Sequence, residues 1–142
     1  MEALPHALQL WNNEARTSLP PFLYVWLAFM VSTYLGSLFF ARRERGARWV
    51  LGGVIASHVL VAVIELGGLA TMRKGLVSLT HVLAWTPALV AVARGLPATS
   101  LDSRYGRWCR LLVAVMTIAL VFDYRDAAAY LYYWIRGHPA FS

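Results

Sequence analysis

Long apolar runs broken by short basic segments dominate this chain. The first runs from about Pro21 to Ala41, the second from about Trp49 to Met72, the third from about Leu76 to Ala93 and the fourth from about Leu111 to Ile135. About 20 helical residues, rising roughly 1.5 Å each, cross about 30 Å of hydrocarbon. Transmembrane β-strands would alternate polar and apolar residues over about ten positions. These runs are longer and continuously apolar, so they predict helices. Pro20 and Pro21 suit the start of the first, where a missing N–H is harmless.

The expected fold is therefore all-α: a polytopic membrane bundle of four transmembrane helices forming one domain over residues 1–142. Composition agrees. Of the residues 59% are hydrophobic and 14% charged, whereas a soluble domain carries about a quarter charged. Too few polar side chains exist to coat a water-soluble core of this size. Lipid is the expected surrounding partner.

Charge sets the orientation. The segment after the first span (RRERGAR) carries Arg42, Arg43, Arg45 and Arg48, and the stretch from Arg94 to Arg110 adds Arg104 and Arg107. Eight basic residues thus fall on one side, against Arg16, Arg73, Lys74 and Arg136 on the other. Positive-inside bias places the arginine segments in the cytoplasm and both termini outside, in a plasma (inner) membrane of the bacterial type. The formal charge of +6 reflects these loops, so no nucleic-acid partner is expected. Cys109 is the single cysteine, which excludes an internal disulfide. The segment from Met1 to Pro20 lacks a basic n-region and is not expected to be a cleavable leader.

Leu4, Leu8, Trp11 and Ala15 fall at helical spacing and suggest a short interfacial helix before the first span. Trp11, Tyr24 and Trp26, with Tyr130, Tyr132, Tyr133 and Trp134, form a candidate outer aromatic belt, and Trp49 and Trp108 an inner one. Arg42, Arg43 and Arg45 carry the charge that attracts anionic lipid, although topology alone accounts for them.

The candidate chemistry lies in ionisable residues within the runs: His58 and Glu65 in the second, His81 in the third, and Asp123, Arg125 and Asp126 in the fourth. Each costs roughly 2.5–3.5 kcal/mol to insert and so points to function. His58 and Glu65 lie two turns apart on one face. Ser78, His81 and Trp85 share a stripe, as do Asp123, Asp126 and Tyr130. Counted from the cytoplasmic ends, Glu65, His81, Asp123 and Asp126 fall in one layer roughly 18–24 Å deep, and His58 at roughly 13 Å.

Arg125 lies about 200° around the helix from Asp123. It therefore needs Glu65, a neighbouring subunit's aspartate or the outer interface as its partner. Leu111 to Phe122 alone would span only about 18 Å, so the fourth helix either continues through Asp123–Asp126 or breaks there with the rest at the interface; the aromatic cluster beyond favours continuation.

The reading that follows is an oligomeric channel or transporter for protons or small cations. Glu65, Asp123, Asp126 and His58 form its polar cluster, with His81 as modulator. Four such helices enclose no pore alone, hence a homo-oligomer. Three alternatives stand beside it. A buried ion pair involving Arg125 would only fix helix register. His81, Glu65, Asp123 and Asp126 could ligate a metal in a membrane enzyme. The chain could also be a non-catalytic subunit of a larger complex. Haem between His58 and His81 is disfavoured by their roughly 7 Å difference in depth. Trp85, Tyr130 and Tyr34 could line a pigment or quinone pocket, but the sequence specifies no cofactor. Pro87 predicts a kink in the third helix. Ser32-xxx-Gly36, Thr33-xxx-Ser37 and Gly52–Gly53 predict close helix packing, as does Gly67–Gly68.

Overall fold

The computed structural model describes residues 20–66 and 74–135, except the side chains of Glu65, Lys74, Tyr133 and Trp134. Within them the chain forms four α-helices: α1 (Pro21–Phe40), α2 (Arg45–Leu66), α3 (Lys74–Gly95) and α4 (Arg104–Ile135), with a 3₁₀ turn at Leu96–Ala98. All four are long and apolar enough to cross a membrane. The expected N-terminal helix, with Trp11, and the Gly67–Gly68 pair lie outside the described residues.

Two helices begin earlier than hydropathy alone suggests. α2 starts at Arg45 rather than near Trp49, because arginine and alanine are good helix formers whether or not they are apolar. The connection shrinks to a tight turn in which the Phe40 carbonyl accepts from the amides of Arg43 and Glu44. The Arg48 guanidinium, reaching back 3.2 Å to the Ala41 carbonyl, satisfies the C-terminal end of α1. α4 starts at Arg104 rather than near Leu111. The Ser103 hydroxyl accepts from the Gly106 amide at 2.9 Å, an N-cap that fixes this start. The loop expected from Arg94 to Arg110 is consequently much shorter, and Arg110 ties it down through the carbonyls of Thr99 and Gly106.

α4 runs unbroken through Asp123, Tyr124, Arg125 and Asp126. α3 passes through Pro87 without ending.

The helices pack up-down-up-down. α3 has the most extensive contacts, against α4 and α2, and α1 closes the bundle against α2 and α4. Close approach depends on glycine. A Cβ on Gly53 would stand 2.9 Å from the Ala84 carbonyl and 3.3 Å from the Ala88 methyl. Trp108 lies over Gly36, and its indole N–H donates to the Thr33 carbonyl at 3.0 Å. The α1–α2 and α3–α4 connections, with the arginines on and beside them, therefore lie at one end of the bundle, where Phe40 packs on Tyr105 and Trp108.

The distribution of side chains fits an apolar surrounding. Large apolar residues cover the outside, among them Phe39 (86% exposed), Val25 (73%) and Val121 (62%). A water-exposed surface rarely carries so continuous an apolar cover. The core combines Met30, Tyr34, Trp85, Leu112 and Met116 with buried Thr33, Ser37, Ser57, Ser78 and Thr80. Most hydroxyls bond to carbonyls of their own helix: Ser32 to Ala28, Thr33 to Phe29, Thr80 to Val77 and Thr117 to Val113. Such back-bonding satisfies a hydroxyl where water is scarce.

Candidate functional site

His81 and Asp123 meet across the α3–α4 interface. His81 Nδ1 lies 3.2 Å from Asp123 Oδ2, and the two side chains are only 22% and 16% exposed. The antiparallel register brings them level: Gly75 packs against Tyr130 and the Asp126 carbonyl at the end of the same interface. His81 therefore sits about 9 Å inward from Gly75, and about 20 Å from Arg94 at the opposite end.

Aromatic packing holds the imidazole in place. His81 stacks on Trp85, with centroids 4.1 Å apart and planes within 11°. The residues are four apart, so helical geometry superimposes them. Trp85 is fixed in turn: its Nε1–H donates to Ser57 Oγ of α2 at 3.0 Å, and Tyr34 of α1 meets its ring edge-on at 5.1 Å. Residues of all four helices thus converge around one imidazole. With Nδ1 facing the carboxylate, the second ring nitrogen has no hydrogen-bond partner among the described residues.

Two buried polar atoms lie on the α1 side of this assembly. The Tyr34 hydroxyl and Ser37 Oγ have no hydrogen-bond partner among the described residues. The Tyr34 hydroxyl is within electrostatic reach of the Asp123 carboxylate. On the outer side, Thr86 Oγ1 and the Tyr124 hydroxyl form a further α3–α4 hydrogen bond at 2.9 Å.

The other sequence candidates lie elsewhere. Asp126 accepts from its neighbour Arg125, whose Nε and second guanidinium nitrogen each stand 2.9 Å from Oδ1. This pair is exposed, 74% at Arg125, and lies at the rim of the bundle beside Gly75. Among the described residues the Arg125 guanidinium folds back onto the adjacent carboxylate at the bundle rim. His58 faces outward, its Nδ1 2.8 Å from the Val54 carbonyl of its own helix. Ser57 intervenes between it and the bundle interior, at 3.4 Å from the same nitrogen. Tyr130 packs on Gly75 rather than beside Trp85. Glu65 lies near the end of α2, with its side chain outside the described residues.

The metal site expected from His81, Glu65, Asp123 and Asp126 falls partly outside the described residues, through Glu65. Among the described residues, no three His, Cys, Asp or Glu side chains come together to hold an ion. The sequence reading missed Ser57. Its signal was a small hydroxyl in an apolar run, one helical face away from His58. No protein-family model, curated protein or solved structure matches this chain. The site's chemistry has to be argued from its own residues.

Proposed function

We propose that this chain is an integral membrane protein that carries protons across the bilayer as an assembly of several copies, with His81 and Asp123 as the intramembrane proton-binding pair. The observation that carries the reading is the 3.2 Å imidazole–carboxylate contact inside an apolar bundle. The contact sets an imidazole nitrogen directly against a carboxylate oxygen, the juxtaposition that a proton relay requires. A separation this short leaves no room for a hydrated metal cation between the two groups, which favours protons over sodium or potassium. The exposed apolar faces support insertion, and positive-inside bias directs the arginine end to the cytoplasm. Four helices filled by Trp85, Leu112 and Met116 leave no open pore in one copy. A path therefore runs along the His81–Asp123 layer, with other copies completing it.

Reconstitution into liposomes containing a pH-sensitive dye, with a potassium gradient and a potassium ionophore to set a membrane potential, tests this. Wild type should shift the internal pH as protons move against the potassium current. Asp123→Asn and His81→Phe should slow it by roughly 10²-fold, the scale on which one positioned proton-transfer group acts. Arg125→Gln should leave it unchanged. Wild-type flux no faster than in empty liposomes, or full flux in Asp123→Asn, would overturn the reading. Flux of sodium rather than protons would reassign the site to a cation-binding carboxylate.

A further inference from the structure

A second feature lies at the opposite end of the bundle. A groove of about 470 Å³ opens between α2 and α3, a size typical of ligand sites. Arg45, Arg48 and Trp49 form its mouth, and Gly52, Ala56 and Pro87 line its apolar length. The two adjacent glycines have opposite roles. Gly53 is pressed against Ala84, whereas a Cβ on Gly52 would meet nothing within 4 Å. The missing side chain at Gly52 is what keeps the groove open.

Both guanidiniums at the mouth are exposed, and among the described residues neither forms a salt bridge with a carboxylate. Arg48 uses one nitrogen on the Ala41 carbonyl, and its remaining donors have no hydrogen-bond partner among the described residues. Arg45 also begins α2, so the positive end of the helix dipole adds to the same spot. From Arg45 to Ala56 is eleven residues, or roughly 16 Å. That matches one leaflet's share, about 15 Å, of the hydrocarbon.

We infer that this groove binds one anionic phospholipid, its phosphate held by Arg45 and Arg48 and one acyl chain lying along Gly52 and Ala56. Charge selects the occupant: unpaired guanidiniums grip phosphate in bidentate fashion, and the apolar channel behind them excludes a free phosphate as the natural ligand. The inference rests on membrane insertion but not on proton passage.

Native mass spectrometry of the detergent-purified full chain, incubated with phosphatidylglycerol or phosphatidylcholine of identical acyl chains, tests it. Wild type should retain the anionic lipid about tenfold or more over the zwitterionic one, since two basic contacts act together on one phosphate. Arg45→Gln/Arg48→Gln should bring that ratio near one. Arg42→Gln/Arg43→Gln, which removes equal charge from the same end, should preserve it. Gly52→Leu should reduce retention of both lipids by obstructing the chain. Arg45→Lys/Arg48→Lys keeps the charge but loses the bidentate grip, so its preference should fall between those of wild type and Arg45→Gln/Arg48→Gln, guarding against loss through misfolding.

Several results would overturn the inference: unchanged preference in Arg45→Gln/Arg48→Gln, equal loss in Arg42→Gln/Arg43→Gln, or displacement of the lipid by inorganic phosphate alone. So would a wild-type dimer that Gly52→Leu dissociates, because a second copy would then occupy the groove. Failure of insertion itself looks different. The chain would then leave the membrane fraction and retain neither lipid.

Discussion

The Trp85 indole donates to Ser57 Oγ at 3.0 Å while its face carries the His81 ring 4.1 Å away. One hydrogen bond between α2 and α3 thereby sets the position of the imidazole that meets α4. Removing the acceptor should loosen the site without dismantling it. Ser57→Ala is expected to cost about 1 kcal/mol, the scale of interhelical hydrogen bonds in membrane proteins. A thermal melt in detergent would register it. Trp85→Phe in the Ser57→Ala background should add less than Trp85→Phe alone, because the shared bond is already gone.

The His81–Asp123 pair separates structural from functional contributions. Asp123→Leu leaves His81 Nδ1 facing a hydrocarbon side chain and should destabilise the bundle. The double replacement His81→Phe/Asp123→Leu should recover part of that loss, as apolar substitutes for buried polar pairs often do. Proton flux should stay absent in the double variant while its melting temperature rises. A double variant that transports like wild type would leave the pair without a working role.

Neighbouring glycines on α2 should respond in opposite ways. Gly53→Leu forces a side chain into the Ala84 carbonyl, 2.9 Å from where its Cβ would stand. The expected cost is about 1–3 kcal/mol, as for other overpacked positions. Gly52→Ala meets open space and should be neutral or stabilising by up to about 1 kcal/mol, through reduced backbone freedom. Paired melting curves of the two variants check this directly.

Arg125→Gln should change stability by less than about 1 kcal/mol. The guanidinium is 74% exposed and pairs with an adjacent residue, and exposed ion pairs contribute little. A melting temperature lowered by many degrees would mean that Arg125 supports a contact between copies of the chain.

Local sequence was a good guide to the helices and a poor guide to their ends. Hydropathy locates apolar runs, but α2 and α4 extend into arginine-rich sequence because helix propensity does not require apolarity. Ser103 was a legible cap before Arg104 that hydropathy counting passes over. Continuation of α4 through Asp123–Asp126 was favoured by the aromatic cluster that follows it, and α4 does run on to Ile135.

The site was legible as an inventory. His81, Asp123 and Trp85 stand out because ionisable and aromatic groups are conspicuous in apolar runs. Which of them meet was not legible. Asp123 and Asp126 occupy one stripe by periodicity, yet one faces His81 and the other pairs with Arg125 at the rim.

Amino-acid order by itself determined four long apolar helices, with eight of the twelve arginines set near alternate connections, because spacing and hydropathy are properties of each segment alone. Tertiary structure decided that His81 meets Asp123, that His58 turns outward and that a groove opens at Gly52. Those outcomes depend on helix rotation and separation. These are set by contacts such as Gly53 on Ala84 and Gly75 on Tyr130, between residues that lie far apart in sequence.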